Sequence, residues 1–314
     1  MMIGWYILLS LVAAAVVFSV FTGWKIASMT LHPKIHAYDT VVDEEVKRGS
    51  FTREWFDQNV RLEEFSIRSP YGYDLHCALW PRETNASFPD GKRRVAVFVH
   101  GYTYCLLGGI KYASMFHALG FVCGLYDHRN HSLSGKAPTT MGFYETRDLA
   151  VVCAWARGRF GEDAVLGTHG ESMGAATVML HAGLDNRLTF AVEDCGFTSW
   201  KSELRFALPH LFHFPAYPAL WFAMLFFRLR GRIPFRADTP RNALKKAGRV
   251  PMLFIHGDAD ETVPFCMMEK CYAAKEGTRA CLAFPGAKHA GSYVADPVRY
   301  RDETARFLRE NGVI

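Results

Sequence analysis

From Arg61 onward the chain alternates short runs of β-branched and aromatic residues with longer amphipathic stretches, the pattern of a mostly parallel sheet with helices on both faces. Strands are predicted over 62–68, 74–80, 95–99, 122–127, 164–168, 190–194, 251–256 and 280–284. The first two, joined across Ser69-Pro70-Tyr71-Gly72, read as an antiparallel hairpin at the sheet edge, and the rest as parallel. Helical spacing covers 145–160, 173–183, 264–275 and 297–310. The last of these has a legible start: Asp296 is placed to cap orphan N–H groups, and Pro297 stands at the first helical position, where its missing donor costs nothing.

The N-terminal pattern is different. Residues 3–24 carry no charge, and at about 1.5 Å per residue such a helix crosses a hydrocarbon core. Trp5 and Tyr6 at one end, and Trp24 with Lys25 at the other, sit where interfacial anchors belong. A cleaved signal sequence fits less well, since no Lys or Arg precedes the run and no small-x-small site follows it. The expected organisation is a single-pass anchor over 1–26, a helical connector over 27–60 and a large domain over 61–314. The nearest charges, Lys25, Lys34, Lys47 and Arg48, all follow the span, which places the domain on the cytoplasmic side by the positive-inside rule.

Half of the 314 residues are hydrophobic and 21% charged, as in a packed globular protein. The net charge of +5 is spread without a basic run or nucleic-acid motif, so nucleic acid is not an expected partner. Eight scattered cysteines show no C-x-x-C pair or disulfide framework, and read as free thiols.

The chemistry concentrates where the predicted strand at 164–168 runs into His169-Gly170-Glu171-Ser172-Met173-Gly174 and then a helix. A strand turning at once into a helix strains the central residue, and side chains two positions either side would strike backbone, so glycines are required there. This marks Ser172 as a nucleophile. It also puts the Met173 N–H at a helix N-terminus, aimed at a developing oxyanion.

A serine hydroxyl needs a base, and the base needs a carboxylate to fix its tautomer. In the strand–turn–helix arrangement acid and base follow the serine in that order. The buried run before Gly257-Asp258-Ala259-Asp260-Glu261 opens into an acidic loop, where Asp260 is the expected acid. Asp258 reads as a turn brace, Glu261 as solvated, and Asp194 as a further competitor. His289 is the one histidine after that loop and the expected base. The second oxyanion donor is expected from the loop His100-Gly101-Tyr102-Thr103, as the Tyr102 N–H, with His100 a buried structural side chain.

On His100-Gly101, Asp127-His128-Arg129-Asn130-His131-Ser132, the Gly170 to Gly174 turn, His256-Gly257-Asp258-Ala259-Asp260 with Val263-Pro264, and His289, the sequence resembles the α/β-hydrolase superfamily. Within it, the sequence is similar to bacterial membrane-associated or cell-surface serine hydrolases of the Bem46-like group. The resemblance covers 61–314 and implies an eight-stranded sheet, no metal or other cofactor, and esterase-like chemistry. Family members often carry Gly where Asn130 stands. The histidines His128, His131 and His169 match no zinc spacing.

Between Asp194 and Pro251 lies a very apolar insertion, with Phe206, Leu208, Leu211, Phe212, Phe214, Tyr217, Leu220, Trp221, Phe222, Met224, Leu225, Phe226 and Phe227, followed by Arg228, Arg230, Arg232 and Arg236. It reads as a helical cap, about 197–247, either lining an acyl cleft or simply packing. The expected activity is hydrolysis of small or lipid-like acyl esters by a carboxylesterase- or lipase-like enzyme (EC 3.1.1). Amide hydrolysis, acyl transfer and a non-catalytic membrane-tethered scaffold are the alternatives, and the sequence leaves the oligomeric state open.

Overall fold

The computed structural model describes residues 2–81, 88–211, 213 and 215–314; Phe212 and Phe214 of the insertion lie outside the described residues. The chain opens with helices α1 (Met2–Leu31), α2 (Tyr38–Arg48) and α3 (Arg53–Asn59), then strands β1 (Glu63–Arg68), β2 (Asp74–Trp80) and β3 (Arg94–Val99). A 3₁₀ turn (Leu106–Gly109) leads into α4 (Ile110–Ala118), β4 (Val122–Tyr126), α5 (Glu145–Phe160), β5 (Val165–Glu171), α6 (Met173–Ala182) and β6 (Phe190–Asp194). The insertion holds α7 (Trp200–Leu211), α8 (Ala219–Arg230) and the short α9 (Pro240–Leu244). Strand β7 (Met252–Gly257), α10 (Cys266–Ala274), β8 (Arg279–Phe284), α11 (Ser292–Ala295) and α12 (Pro297–Glu310) complete the chain.

The eight strands form one sheet in the order β1-β2-β4-β3-β5-β6-β7-β8, with β1 and β2 antiparallel at one edge and β3 to β8 mutually parallel. Both faces are covered, which explains why β3 reads as an unbroken apolar run. Its Ala96 and Phe98 point into a core with Phe116, Phe190 and Tyr300; its Val95, Val97 and Val99 point into the opposite core with Leu149, Val178 and Phe254. Asp296 caps α12 through the Arg299 N–H (2.9 Å), with Pro297 in the first turn. All eight cysteines are free; only Cys266 and Cys281 reach the surface.

Helix α1 continues past the expected anchor end at 26, to Leu31. Residues 2–18 are exposed on every side, whereas Ser19, Gly23, Ala27, Thr30 and Leu31 are buried. The small Ser19, Gly23 and Ala27 let α8 approach: a Cβ on Gly23 would stand 2.5 Å from the Phe222 Cβ and 2.7 Å from the Ala223 nitrogen. The connector is two helices, and α2 is folded onto the domain. Its Val41 and Val42 are buried, Tyr38 Oη donates to Asp127 Oδ2 (2.5 Å), and Glu45 reaches the buried Lys111 of α4. Gly49, at φ +86°, ends α2 in the left-handed conformation that glycine adopts without penalty.

Candidate active site

Strand β5 ends at Glu171 and α6 begins at Met173, so Ser172 alone makes the turn. Its φ of +55° and ψ of −113° fall in a strained region for a residue with a side chain. The surroundings hold it there. The Ser172 N–H donates to the Asp194 carbonyl on β6 (2.8 Å). A Cβ on Gly170 would lie 2.3 Å from the Gly174 carbonyl oxygen, and one on Gly174 only 1.9 Å from the Val99 carbonyl oxygen. The glycines are therefore fixed by backbone that has nowhere to move.

Three residues far apart in sequence meet at this turn. His289, on the loop after β8, has Nε2 3.0 Å from Ser172 Oγ and Nδ1 2.7 Å from Asp260 Oδ2. Asp260, on the loop after β7, is buried, and its other oxygen accepts the N–H groups of Thr262 (2.8 Å) and Val263 (2.9 Å). Burial alone would raise its pKa. Hydrogen bonds from His256 and His289, with the charges of those rings, bring it below the ordinary carboxylate range instead. Asp258 braces the neighbouring turn, accepting the Gly286 N–H (2.7 Å), and Glu261 is exposed, as the sequence suggested for both. Asp194 lies behind the turn, within 3.1 Å of Tyr300 Oη.

Sequence reasoning missed His256. Its Nε2 stands 3.2 Å from Asp260 Oδ2 and 2.9 Å from the Val263 carbonyl oxygen, so one N–H is shared between them and the carboxylate receives a second imidazole. The four-residue spacing to Asp260 was the available signal, but His256 sits on an apolar strand and reads there as core.

The other expected oxyanion donor lies close by. A Cβ on Gly101 would come within 3.6 Å of the Ser172 Cβ, which places the loop carrying Tyr102 directly over the serine; Met173 is the first residue of α6, where N–H groups lack helical partners. Buried histidines brace this loop. His100 Nδ1 donates to the Gly101 carbonyl (2.7 Å) while its Nε2 accepts the His128 N–H (2.9 Å), and His131 Nε2 accepts the Thr103 N–H (3.2 Å). Burial depresses all three pKa values, that of His131 to about 4, so the rings stay neutral struts. Asn130, at φ +62°, adopts the left-handed conformation that glycine would supply, which asparagine tolerates better than most. His169 stands apart from these rings, 2.8 Å from Tyr300 Oη.

A cavity of about 630 Å³ opens over Ser172 and His289. Of the two readings of the insertion, its walls favour packing: among the described residues they come from His36, α2 and the Gly101 to Tyr104 loop, and none from 197–247. The large side chains of α7 and α8 are used in packing, Phe227 and Ile233 against Met173 and Ala176, and Leu204 and Leu208 against Leu220. Of the cavity's acids, Glu44 is held by Tyr104 Oη (2.8 Å) and His36 (3.2 Å), and Glu171 by Lys111 (2.8 Å) and Tyr112 Oη (2.6 Å). Lys47 and Arg48 meet no carboxylate among the described residues; Arg48 lies 5.9 Å over the Tyr104 ring and also borders an adjoining cavity of about 540 Å³ beside His289. Cys195, Asp260 and His289 present potential metal-ligating atoms within 4.8 Å of one another, but two of them are engaged with each other and burial holds the Cys195 thiol protonated, so the set suits a metal poorly.

A serine at a strained strand-to-helix turn, on an eight-stranded sheet of this order and with its partners on the loops after β7 and β8, defines an α/β-hydrolase fold. No family model matches the chain. Its fold is similar to that of the Pyrococcus furiosus esterase Pf2001 (TM-score 0.66, 18% identity, 82% of this chain and 93% of that one). It is also similar to Est1E from Butyrivibrio proteoclasticus (TM-score 0.60, 17% identity, 80% and 99%) and to the α/β hydrolase GrgF from Penicillium sp. sh18 (TM-score 0.62, 14% identity, 81% and 100%). In sequence it is 32% identical over 291 residues to the uncharacterized protein YqkD of Bacillus subtilis (strain 168), across 91% of this chain and 92% of that protein. The chain belongs to the YqkD family.

Proposed function

We propose that the protein is a membrane-anchored serine hydrolase that cleaves carboxylic esters. The reading rests on one observation: the His289 ring bridges Ser172 Oγ at 3.0 Å and the buried Asp260 carboxylate at 2.7 Å. With Nδ1–H donated to Asp260, Nε2 is the free acceptor and takes the Ser172 proton as Oγ attacks the acyl carbon. The Tyr102 and Met173 N–H groups hold the oxyanion, and the imidazolium returns its proton to the departing alkoxide. A water, deprotonated in turn by His289, releases the acid and restores Ser172. Helix α1 is the anchor, a proposal supported by its 30-residue length and a mean hydropathy of 2.3 over an 18-residue stretch of it. Kinship with the Bem46-like group belongs to the same proposal.

The test is hydrolysis of p-nitrophenyl esters from acetyl to palmitoyl by the full chain in detergent, with Ser172→Ala beside it. Turnover that disappears in the variant supports the esterase, and its optimum measures the cavity. Activity retained by Ser172→Ala would sink the assignment. Amide cleavage and acyl transfer use the same residues and are scored in parallel with anilides and added alcohols.

A further inference from the structure

The 17 exposed residues of α1, 2–18, make about 25 Å of helix, less than the roughly 30 Å of a hydrocarbon core. An anchoring α1 must therefore carry its next turns, through Gly23 and Trp24, into the membrane boundary. Those are the turns on which α8 is packed, with Phe222 and Ala223 against Gly23. The cap is thus held at the depth where hydrocarbon gives way to headgroups.

Its outward surface suits that depth. Trp221, Leu225 and Leu229, at helical spacings of four, form one exposed row on α8, with Trp221 62% and Leu229 58% exposed. Tyr217 and Phe235 extend it. Left in water, such a row would be an unusual apolar patch. Around it stand Arg228, Arg230, Arg232 and Arg236, and the sequence has no Asp or Glu from Leu204 to Ala237. Arg230 lies 5.4 Å over the Trp24 ring and donates to Ser28 Oγ, joining the cationic rim to the anchor itself. An apolar row with arginines and no acids is the composition of a surface lying in an anionic lipid interface.

We infer that the outer face of α8 is a second membrane contact, its apolar row seated at the headgroup–acyl boundary and its arginines on lipid phosphates. The inference rests on α1 being the anchor. It makes the protein a two-point membrane enzyme, anchored by α1 and laid on the bilayer by its cap.

The experiment uses the full chain reconstituted into phosphatidylcholine/phosphatidylglycerol vesicles, with and without bromine on the acyl chains. Subtracting the emission of Trp5→Phe, Trp221→Phe and Trp155→Phe from wild type isolates each tryptophan. Bromine should quench Trp5 and Trp221 by at least half and leave Trp155, stacked on Phe65 at 4.3 Å, unchanged. Quenching of Trp5 with none of Trp221 overturns the cap contact while the anchor stands, and points to a second copy or another protein on α8. Absence of quenching at both removes the anchor as well. Replacing phosphatidylglycerol by phosphatidylcholine should weaken Trp221 quenching and spare Trp5; no change would overturn the role given to the arginines.

Discussion

Lys111 Nζ lies 3.1 Å from Glu45 and 2.8 Å from Glu171, so the connector helix α2 and the residue just before Ser172 share one buried cation. Burial opposes the charge on Lys111, but the two carboxylates overcome it and raise the pKa. The partners are unequal in consequence. Glu45→Gln leaves Lys111 paired with Glu171, whereas Lys111→Met strands two buried carboxylates. Lys111→Met should therefore cost about 3–5 kcal/mol and Glu45→Gln clearly less, as measured by urea unfolding in detergent. Equal losses would mean that the cluster is not organised around the lysine.

The shared N–H of His256 makes it a positioning residue for Asp260 rather than a second base. Asp260→Asn should lower kcat by several orders of magnitude through the wrong His289 tautomer. His256→Asn should lower it about tenfold with KM unchanged. A His256 variant as inactive as Asp260→Asn would assign it a direct part in the chemistry.

Glu193 is buried beside this pair, and burial raises its pKa from 4.5 to about 8. Because the folded state holds the proton more tightly than the unfolded chain, stability present below about pH 4.5 is lost as the pH rises to about 8. Asp194 and Glu203, raised to about 6 and about 8, act with the same sign. The buried neutral histidines His100, His128 and His131 oppose this below about pH 7, so the melting temperature of wild type should fall between about pH 7 and pH 8, and Glu193→Gln should flatten that slope. A parallel slope in the variant would show that Glu193 is ionised in the fold.

Gly23 and Gly4 occupy the same helix with opposite surroundings: an added side chain at Gly23 strikes α8, while nothing lies within 4 Å at Gly4. Gly23→Leu should destabilise the domain by about 1–3 kcal/mol and Gly4→Leu should not, read as the melting temperature of the domain. If both are neutral, α1 and α8 do not pack in solution.

Lys47 and Arg48 line the cavity without a direct ion pair among the described residues, although, against the effect of burial, Tyr104, Glu45, Glu171 and Glu44 lie near enough to raise the Arg48 pKa. Arg48→Gln should lower kcat/KM about threefold to fivefold for the p-nitrophenyl half-ester of glutaric acid and leave p-nitrophenyl butyrate unaffected, the scale of a solvated ion pair. Equal effects on both esters would make Arg48 a packing residue only.

Much of the sheet was legible because strands buried on both faces announce themselves as short apolar runs. The predicted 190–194 and 74–80 are β6 and β2 without adjustment. Strand β5 extends further than its apolar run, to Glu171, because His169, Gly170 and Glu171 still pair with Val192, Glu193 and Asp194; a turn motif disguised three strand residues. Ser172, Asp260 and His289 were legible through chain order and a steric demand for glycine, both local signals. The docking of α2 was not, since Glu45 reads as one acid among three until the fold supplies Lys111 from a position 66 residues away. Nor could the sequence divide the apolar residues of α8 between packing and exposure, because that depends on where α1 lies.

Tyr102 Oη donates to the Met29 carbonyl (2.7 Å), and the Thr139 N–H to the Leu31 carbonyl (2.9 Å), so the last turn of α1 is bonded to the domain at two points. These two bonds hold the end of α1 against the domain. Under the proposed anchoring, every copy in a bilayer carries its cavity at one height above the lipid. The reach of the proposed enzyme is then set by the register of a single helix in the membrane, and a residue added within the exposed stretch 2–18 would lift the cavity by about 1.5 Å while sparing the packing on α8.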